Sequence, residues 1–456
     1  MCAPTIPILT ALSAAFLLSL AACNGNRAPA GSVTIVSPTY SPTHRPVRGN
    51  DTTMMAVDFL EQRVKSDPDD MVALNKLAGY YLQLHRETED VSYLELSLGA
   101  AQSSLRVLPA DQNLGGLRAL AQAEYETHNF LSARDHADEL TEYEPRRTFG
   151  YQLLGDALLE LGDYDGATAA YKKMEELDRD TVATETRLAH LAQLRGDPNT
   201  ARRRYLVALE LARDSSFPSA ETIAWCHWQL GEVGMATGDY RKAERHYEDA
   251  LEAFSNYPHA VTSLARYRAV QGDIPGAIAT FEKLVGKYAD PLDEATLGDL
   301  YKLAGRDGEA QQRYSEVERL SQQNTLYSAL YNRHLVFFWA DHDMKTDEAY
   351  ERARKEYETR RDVYGADALA WSALKAGRLD EAETAIKDAL RLGTEDARLF
   401  YHAGMIARAA GDRNAAAEFL KRAMKLNKHF DPLQSSVAQK ALEDVTAAPR
   451  QVARMH

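Results

Sequence analysis

Residues Tyr151–Leu177 read YQLLGDALLELGDYDGATAAYKKMEEL, and this stretch decides the fold. In its first half Tyr151, Leu154, Gly155 and Leu158 fall at i, i+3, i+4 and i+7, the apolar stripe of one helix. Gly162 ends that helix, because glycine enters the left-handed cap conformation at little steric cost. Asp163 comes next, a residue whose carboxylate accepts from the free N–H groups that open the following helix. The second half repeats the stripe with Ala167, Ala170, Tyr171, Met174 and Leu177. Two amphipathic helices joined by a tight turn make a hairpin, and a hairpin alone leaves an outer apolar face uncovered. It needs a neighbour of its own kind.

The neighbours recur at a constant interval. Ala133, Ala167 and Ala201 are 34 residues apart, as are Gly162 and Gly196, Gly238 and Gly272, and Gly377 and Gly411. A 34-residue helix–turn–helix period is the tetratricopeptide signature. Several units have a small residue in the middle of their first helix (helix A), an alanine opening their second (helix B), and an aromatic four residues later. These are Gly155, Ala167 and Tyr171, then Gly231, Ala243 and Tyr247, then Ala265, Ala277 and Phe281, then Gly298, Ala310 and Tyr314. On these residues the sequence closely resembles the tetratricopeptide repeat family. The resemblance implies an all-α fold, a right-handed superhelical solenoid of stacked helix–turn–helix hairpins. In such a stack the small residue lets helix A approach helix B, and the aromatic fills the gap to the next hairpin. The fold does not by itself name a function.

Composition sets further bounds. The chain has 456 residues, 26% of them charged and 9% aromatic, with a net charge of -14. The periodicity favours one elongated array over the two or three globular domains that length alone would indicate. The acidic balance argues against nucleic acid as a partner, because phosphate contacts require a basic surface. The longest basic run, Arg202-Arg203-Arg204, falls on a helix B and reads as a solvated face. Cysteines stand at 2, 23 and 226, too few for a disulfide framework. Cys226 reads as a small buried apolar residue.

The first 22 residues carry the compartment signal. Ile6 to Ala22 is apolar or small almost throughout and ends in Leu20-Ala21-Ala22-Cys23. That ending resembles the lipobox of bacterial lipoprotein signals, in which small residues precede a cysteine whose thiol receives diacylglycerol. The stretch departs from the usual signal in having no Lys or Arg before its apolar run. The competing reading, a transmembrane anchor, has to work with an apolar run at the low limit of spanning length. Residues 1–22 are therefore expected to be a lipoprotein signal peptide, Cys23 the lipidated residue, and 23–52 a flexible tether containing Pro29, Pro38, Pro42 and Pro46.

The array is expected over 53–446, opening with a helix at Met54–Val64. An atypical hairpin over 70–109 follows, with a long turn, HRETEDV, at 85–91. Regular repeats span 114–323, interrupted by the insertion ARDSSFPSA at 212–220. A distorted unit at 326–361 carries Phe337, Phe338 and Trp339 where a small residue is expected. Further repeats fill 363–430, a polar-faced capping helix 433–445, and a loose tail 447–456.

Catalytic spacings are absent from the sequence: there is no HExxH, phosphate loop, GxSxG or CxxC. The expectation is a protein with no enzymatic activity, no cofactor and no metal. The strongest metal candidate is Asp341-His342-Asp343 with His334 two turns earlier, set against the plain reading of a hydrophilic turn. His227 and His402 read as core or groove histidines. In the family the A helices line a concave groove, and the positions three before and one after the small residue point into it. Carried over, these include Arg118 and Gln122, Gln152 and Asp156, Thr186 and His190, Trp228 and Glu232. Thr262 and Arg266, Ala295 and Asp299, His334 and Phe338, Asp367 and Trp371, and Tyr401 and Met405 complete the set. The carboxylate clamp known in the family is matched only in part: Arg118, Gln122 and Arg187 are suggestively placed, but Leu153 and Ala183 stand where Asn and Lys are required. Arg118, Gln122, Trp228, Phe338, Trp371, Tyr401 and Met405 are the candidate partner contacts. The aromatics among them either face the groove or pack against the next A helix. The resulting expectation is a lipid-anchored binding scaffold of the bacterial envelope, on the periplasmic side or the cell surface, holding a protein or peptide in its groove. Two other readings stay open: a metal or enzymatic protein using the 341–343 turn, and a self-assembling structural lipoprotein.

Overall fold

The structure, a computed structural model, describes residues 49–287 and 290–447. The expected signal peptide, Cys23, most of the tether and the end of the tail lie outside the described residues. Within them the chain is all helix, 23 elements in succession with no strand. The first are α1 (Asp51–Ser66), α2 (Met71–Thr88), α3 (Ser92–Val107), α4 (Leu114–Glu126), α5 (Phe130–Tyr143), α6 (Thr148–Glu160) and α7 (Tyr164–Leu177). Next come α8 (Val182–Leu194), α9 (Pro198–Arg213), α10 (Ala220–Ala236), α11 (Tyr240–Ala253), α12 (Pro258–Val270), α13 (Ile274–Val285), α14 (Pro291–Leu303) and α15 (Asp307–Ser321). The last are α16 (Thr325–Leu330), α17 (Asn332–Asp341), α18 (Thr346–Tyr357), α19 (Val363–Lys375), α20 (Leu379–Ala389), α21 (Ala397–Ala409), α22 (Arg413–Leu426) and α23 (Gln434–Thr446).

Local chemistry explains the repeating hairpin. Gly162 sits at φ +81°, in the left-handed region, and Asp163 then accepts from Gly166 N at 2.9 Å to cap α7. Asp197 and Asp273 cap α9 and α13 in the same way. Inside the hairpin, Gly155 is a notch: a Cβ there would overlap the ring of Tyr171 from α7. Gly231 and Gly298 accept Tyr247 and Tyr314 identically. The small residue of helix A is therefore cut to fit the aromatic of helix B.

Three stretches differ from the sequence reading. The 85–91 segment is mostly helix, because α2 runs on to Thr88 and turns only at Glu89, φ +57°. Helix formation begins at Asp51, inside the expected tether, with Asn50 accepting from Thr52 N and donating its own N–H to the Glu87 carboxylate at 2.7 Å. The distorted unit has its helix A broken into α16 and α17 at Tyr331. Trp339 there is fully buried, donates to Glu318 at 2.7 Å, and lies under Lys345 and Arg352.

Successive coils of the array touch. The turn after α6 meets the start of α19, where Val363 N donates to Tyr164 Oη at 2.8 Å and Arg360 Nε to Glu160 at 2.8 Å. The turn after α8 meets the start of α21, with Thr394 Oγ1 donating to Leu194 O at 2.5 Å. The turn after α10 meets the approach to α23, with Asn427 Nδ2 donating to Met235 O at 2.9 Å. These partners lie 192 to 200 residues apart, close to six repeats. At the other end of this seam, Leu82, Val91 and Leu94 of the first hairpin pack on Leu326, Leu330 and Tyr331. Glu89 of its turn also reaches His259 at 2.5 Å, and Arg86 near the end of α2 reaches Glu221 at 3.8 Å.

Candidate functional site

The inward positions of the A helices form a ladder of carboxylates, each held from two sides. Tyr171 donates to Asp156 at 2.6 Å, Tyr247 to Glu232 at 2.8 Å and Tyr314 to Asp299 at 2.8 Å. The second partner comes from a later A helix: Arg187 on Asp156 at 2.8 Å, Ser263 on Glu232 at 2.6 Å and His342 on Asp299 at 2.8 Å. Burial, reinforced by the carboxylate, pushes all three phenols well above their usual range. Burial works against a charged His342, but the Asp299 carboxylate outweighs it and raises the imidazole. In these three units the glycine notch comes with an acid beside it and a tyrosine opposite, whereas Gly404 faces Leu420 and is followed by Met405. Where helix B carries Phe281, helix A has Ala265 and Arg266, with neither glycine nor acid. The tyrosine hydrogen bonds mark these three acids as structural.

Inside the array lies a cavity of about 850 Å³, walled by α12, α14, α17 and the segment from Asn427 to Ser436. Leu292 and Leu303 are 39% and 46% exposed on its wall. Two arginines on the wall are paired: Arg266 with Glu232 at 3.5 Å, and Arg398 with Asp341 at 3.1 Å and Asp431 at 2.5 Å.

The expected partner contacts do not come together. Arg118 is half-buried and bound to Glu144, and Gln122 donates to Glu126 at 2.7 Å. Trp228 is half-buried, stacked on His259 at 4.3 Å and donating to Ser263 at 3.1 Å. Phe338 is buried against Tyr314 and His342, and of the seven it alone reaches the cavity wall. Trp371 is 1% exposed, stacked on His402 at 4.3 Å and donating to Asp341 at 2.9 Å. Tyr401 is 1% exposed and donates to Gln434 at 2.8 Å, while Met405 packs half-buried in the same cluster. Of the two readings of the aromatics, the structure takes packing between repeats, because the C-terminal helices stack tightly enough to cover them.

The 341–343 turn does not gather ligands. Asp341 is bound by Trp371 and Arg398, His342 Nδ1 faces Phe338 O at 2.7 Å, and Asp343 pairs with Lys375 at 2.7 Å. Cys226 is buried in α10, and burial pushes its thiol up to about 12, which leaves it unreactive at neutral pH.

Models of the tetratricopeptide repeat match residues 150–181, 180–256, 229–293 and 368–427. The chain is a tetratricopeptide repeat protein. No curated protein matches the sequence significantly. Among solved structures, PilW, a type IV pilus biogenesis factor, is similar at 16% identity, TM-score 0.38, over 47% of this chain and 96% of PilW. A thermophilic TPR protein from Thermus thermophilus is similar at 19% identity, TM-score 0.36, over 43% of this chain and 97% of that one. The human IFIT1 dimer with PPP-AAAA is similar at 15% identity, TM-score 0.44, over 82% of this chain and 95% of that one. In this tetratricopeptide array the sequence reading found the hairpins and their inward positions. It missed the seam, whose partners lie about six repeats apart and share no local spacing.

Proposed function

We propose that this tetratricopeptide protein is a non-enzymatic scaffold, held in the bacterial envelope by a lipid on Cys23, that receives a short segment of a protein or peptide partner in its interior cavity. The observation that carries the reading is the exposure of Leu292 and Leu303 on the cavity wall beside Arg266 and Arg398. Uncovered apolar side chains in a concave site anchor a partner residue, and fixed polar groups orient it. A volume of about 850 Å³ is at the upper end of the roughly 300–1,000 Å³ that encloses a compact ligand. The sequence Leu20-Ala21-Ala22-Cys23 and the Pro-rich stretch after it support the anchor.

The test places a photo-crosslinking residue at Leu303 in native envelopes, with a control at Leu131, 43% exposed on α5 away from the cavity. The expected result is one identified adduct from Leu303 and none from Leu131; adducts from Leu131 alone would overturn the cavity reading. Fatty-acid labelling tests the anchor separately: Cys23→Ala should lose the label, and equal labelling of both chains would remove the lipid.

A further inference from the structure

Helices α10 and α11 bring three metal-ligating side chains together on a face that the scaffold reading leaves unused. His227 comes from α10, while His246 and Asp249 share one face of α11 at i and i+3. His227 Nδ1 stands 3.2 Å from His246 Nδ1 and 3.6 Å from the Asp249 carboxylate, and the three ligand atoms all lie within 4.8 Å of one another. A tetrahedral ion with bonds of about 2.0–2.1 Å sets neighbouring ligand atoms roughly 3.3–3.4 Å apart. The two short edges of the triangle bracket that value. Among the described residues no other trio of His, Cys, Asp and Glu is gathered in this way. His227 is buried, whereas His246 and Asp249 are half-buried, so the α11 side is open for an ion and water to enter.

We propose that His227, His246 and Asp249 form a divalent transition-metal site, suited to Zn²⁺, whose fourth position is left to water or a side chain of a partner. Two imidazoles and one carboxylate are a donor set that zinc accepts, and three protein ligands leave a coordination position open. Burial lowers both imidazoles, His227 to about 4, so both are neutral at pH 7, the form that binds metal.

Arg213 opposes the ion. Its guanidinium donates to His227 Nε2 at 2.9 Å, which holds the His227 proton on Nδ1, directed at the Nδ1 lone pair of His246. Coordination through Nδ1 moves that proton to Nε2, where it would face the guanidinium donors, so Arg213 must swing out into the solvent it already touches. Arg202 and Arg245 also lie near enough to His246 to disfavour positive charge there. Removing Arg213 should therefore strengthen binding, an effect that a purely structural hydrogen-bond cluster would not show.

The experiment titrates the purified full chain, free of a histidine tag, with Co²⁺ by visible absorption and with Zn²⁺ by calorimetry. One ion per chain with the intense visible bands of tetrahedral cobalt is the expected result. His246→Ala and Asp249→Asn, both at half-exposed positions, should each weaken binding at least tenfold with helical content unchanged, and Arg213→Ala should tighten it. Failure of both the wild-type and Arg213→Ala chains to take up either ion overturns the site. So does uptake that survives His246→Ala undiminished, which would place the ion elsewhere.

Discussion

The carbonyl oxygen of Arg361 occupies the space that a Cβ on Gly162 would need, so two coils of the array meet backbone against backbone. The same relation recurs one repeat on, where the Gly393 carbonyl fills the space beside Gly196. Both glycines also hold positive φ, +81° and +72°. The glycine that ends a tetratricopeptide helix A therefore has two duties at these positions. One is local, to reverse the chain, and the other is to admit a segment of backbone from about six repeats away.

The two duties are separable by mutation. Gly411 has φ +83° but nothing within 4 Å of its would-be Cβ, so Gly411→Ala carries only the left-handed strain, on the order of 1–2 kcal/mol. Gly162→Ala carries that strain and must also displace the Arg361 carbonyl. We expect a clearly larger drop in unfolding midpoint for Gly162→Ala, with faster hydrogen exchange near 361–363 as the coils part. Equal losses at the two sites would show that the seam does not bear on stability.

Within each hairpin, the tyrosine, the notch and the acid should behave as one unit. Tyr247→Phe removes a hydrogen bond to the Glu232 carboxylate and is expected to cost about 1.5–3 kcal/mol, the range for charged partners. Gly231→Ala forces the same ring out of its seat, which costs on the order of 1–3 kcal/mol. Urea unfolding measures both. Because the two residues touch, the double substitution should fall short of the sum. Strict additivity would mean that the ring does not sit in the notch.

The hairpins were legible in the sequence because their determinants are local and repeat. Gly162-Asp163 states a helix end and a helix start, and Ala167 with Tyr171 states a packing face. The inward positions followed from the same register. The seam was not legible, since Tyr164 reaching Val363 depends on the accumulated pitch of six repeats, which no local spacing states. The fate of Trp371 and Tyr401 had the same obstacle: a position facing inward says nothing of whether His402 and Gln434 will cover it. The trio at His227 escaped because its members lie on facing helices 19 and 22 residues apart, with no short spacing to betray them.

One contact of the first hairpin depends on pH. Burial disfavours a charged His259, but the Glu89 carboxylate at 2.5 Å outweighs it, and the imidazole is raised above its ordinary 6.5. Burial likewise acts against a charged Glu89, and His259 more than compensates, so that carboxyl is lowered. A raised histidine contributes stability that is complete below about 6.5 and lost as pH climbs through its folded value. The pair also fails in acid, as pH drops through the lowered Glu89. Proteolysis at the 89–91 turn should accordingly speed up from pH 6 to pH 9. In Glu89→Gln burial is opposed only by the carboxylates of Glu232 and Glu221, so the His259 resonance should titrate lower than in the unaltered chain by NMR. A His259 whose titration is unmoved in that variant would locate its partner elsewhere.

The buried aromatics of the C-terminal repeats supply the last test. Trp371 fills the space between α17 and α21, donating to Asp341 and stacking on His402, while Tyr401 ties α21 to Gln434 of the final helix. Loss of a side chain this large from a core costs about 3–5 kcal/mol, through lost transfer energy and the cavity left behind. Trp371→Ala also strands Asp341, already raised by burial against the pull of Arg398, without one of its donors. We expect Trp371→Ala to lower the unfolding midpoint strongly and Tyr401→Ala to do so to a lesser degree. Because contacts run mainly between neighbours and across the seam, hydrogen exchange should rise first from α17 to α23 and near the α10 turn that Asn427 holds. Near-native stability in Trp371→Ala would mean that the ring is open to solvent, and would return it to the surface available to a partner.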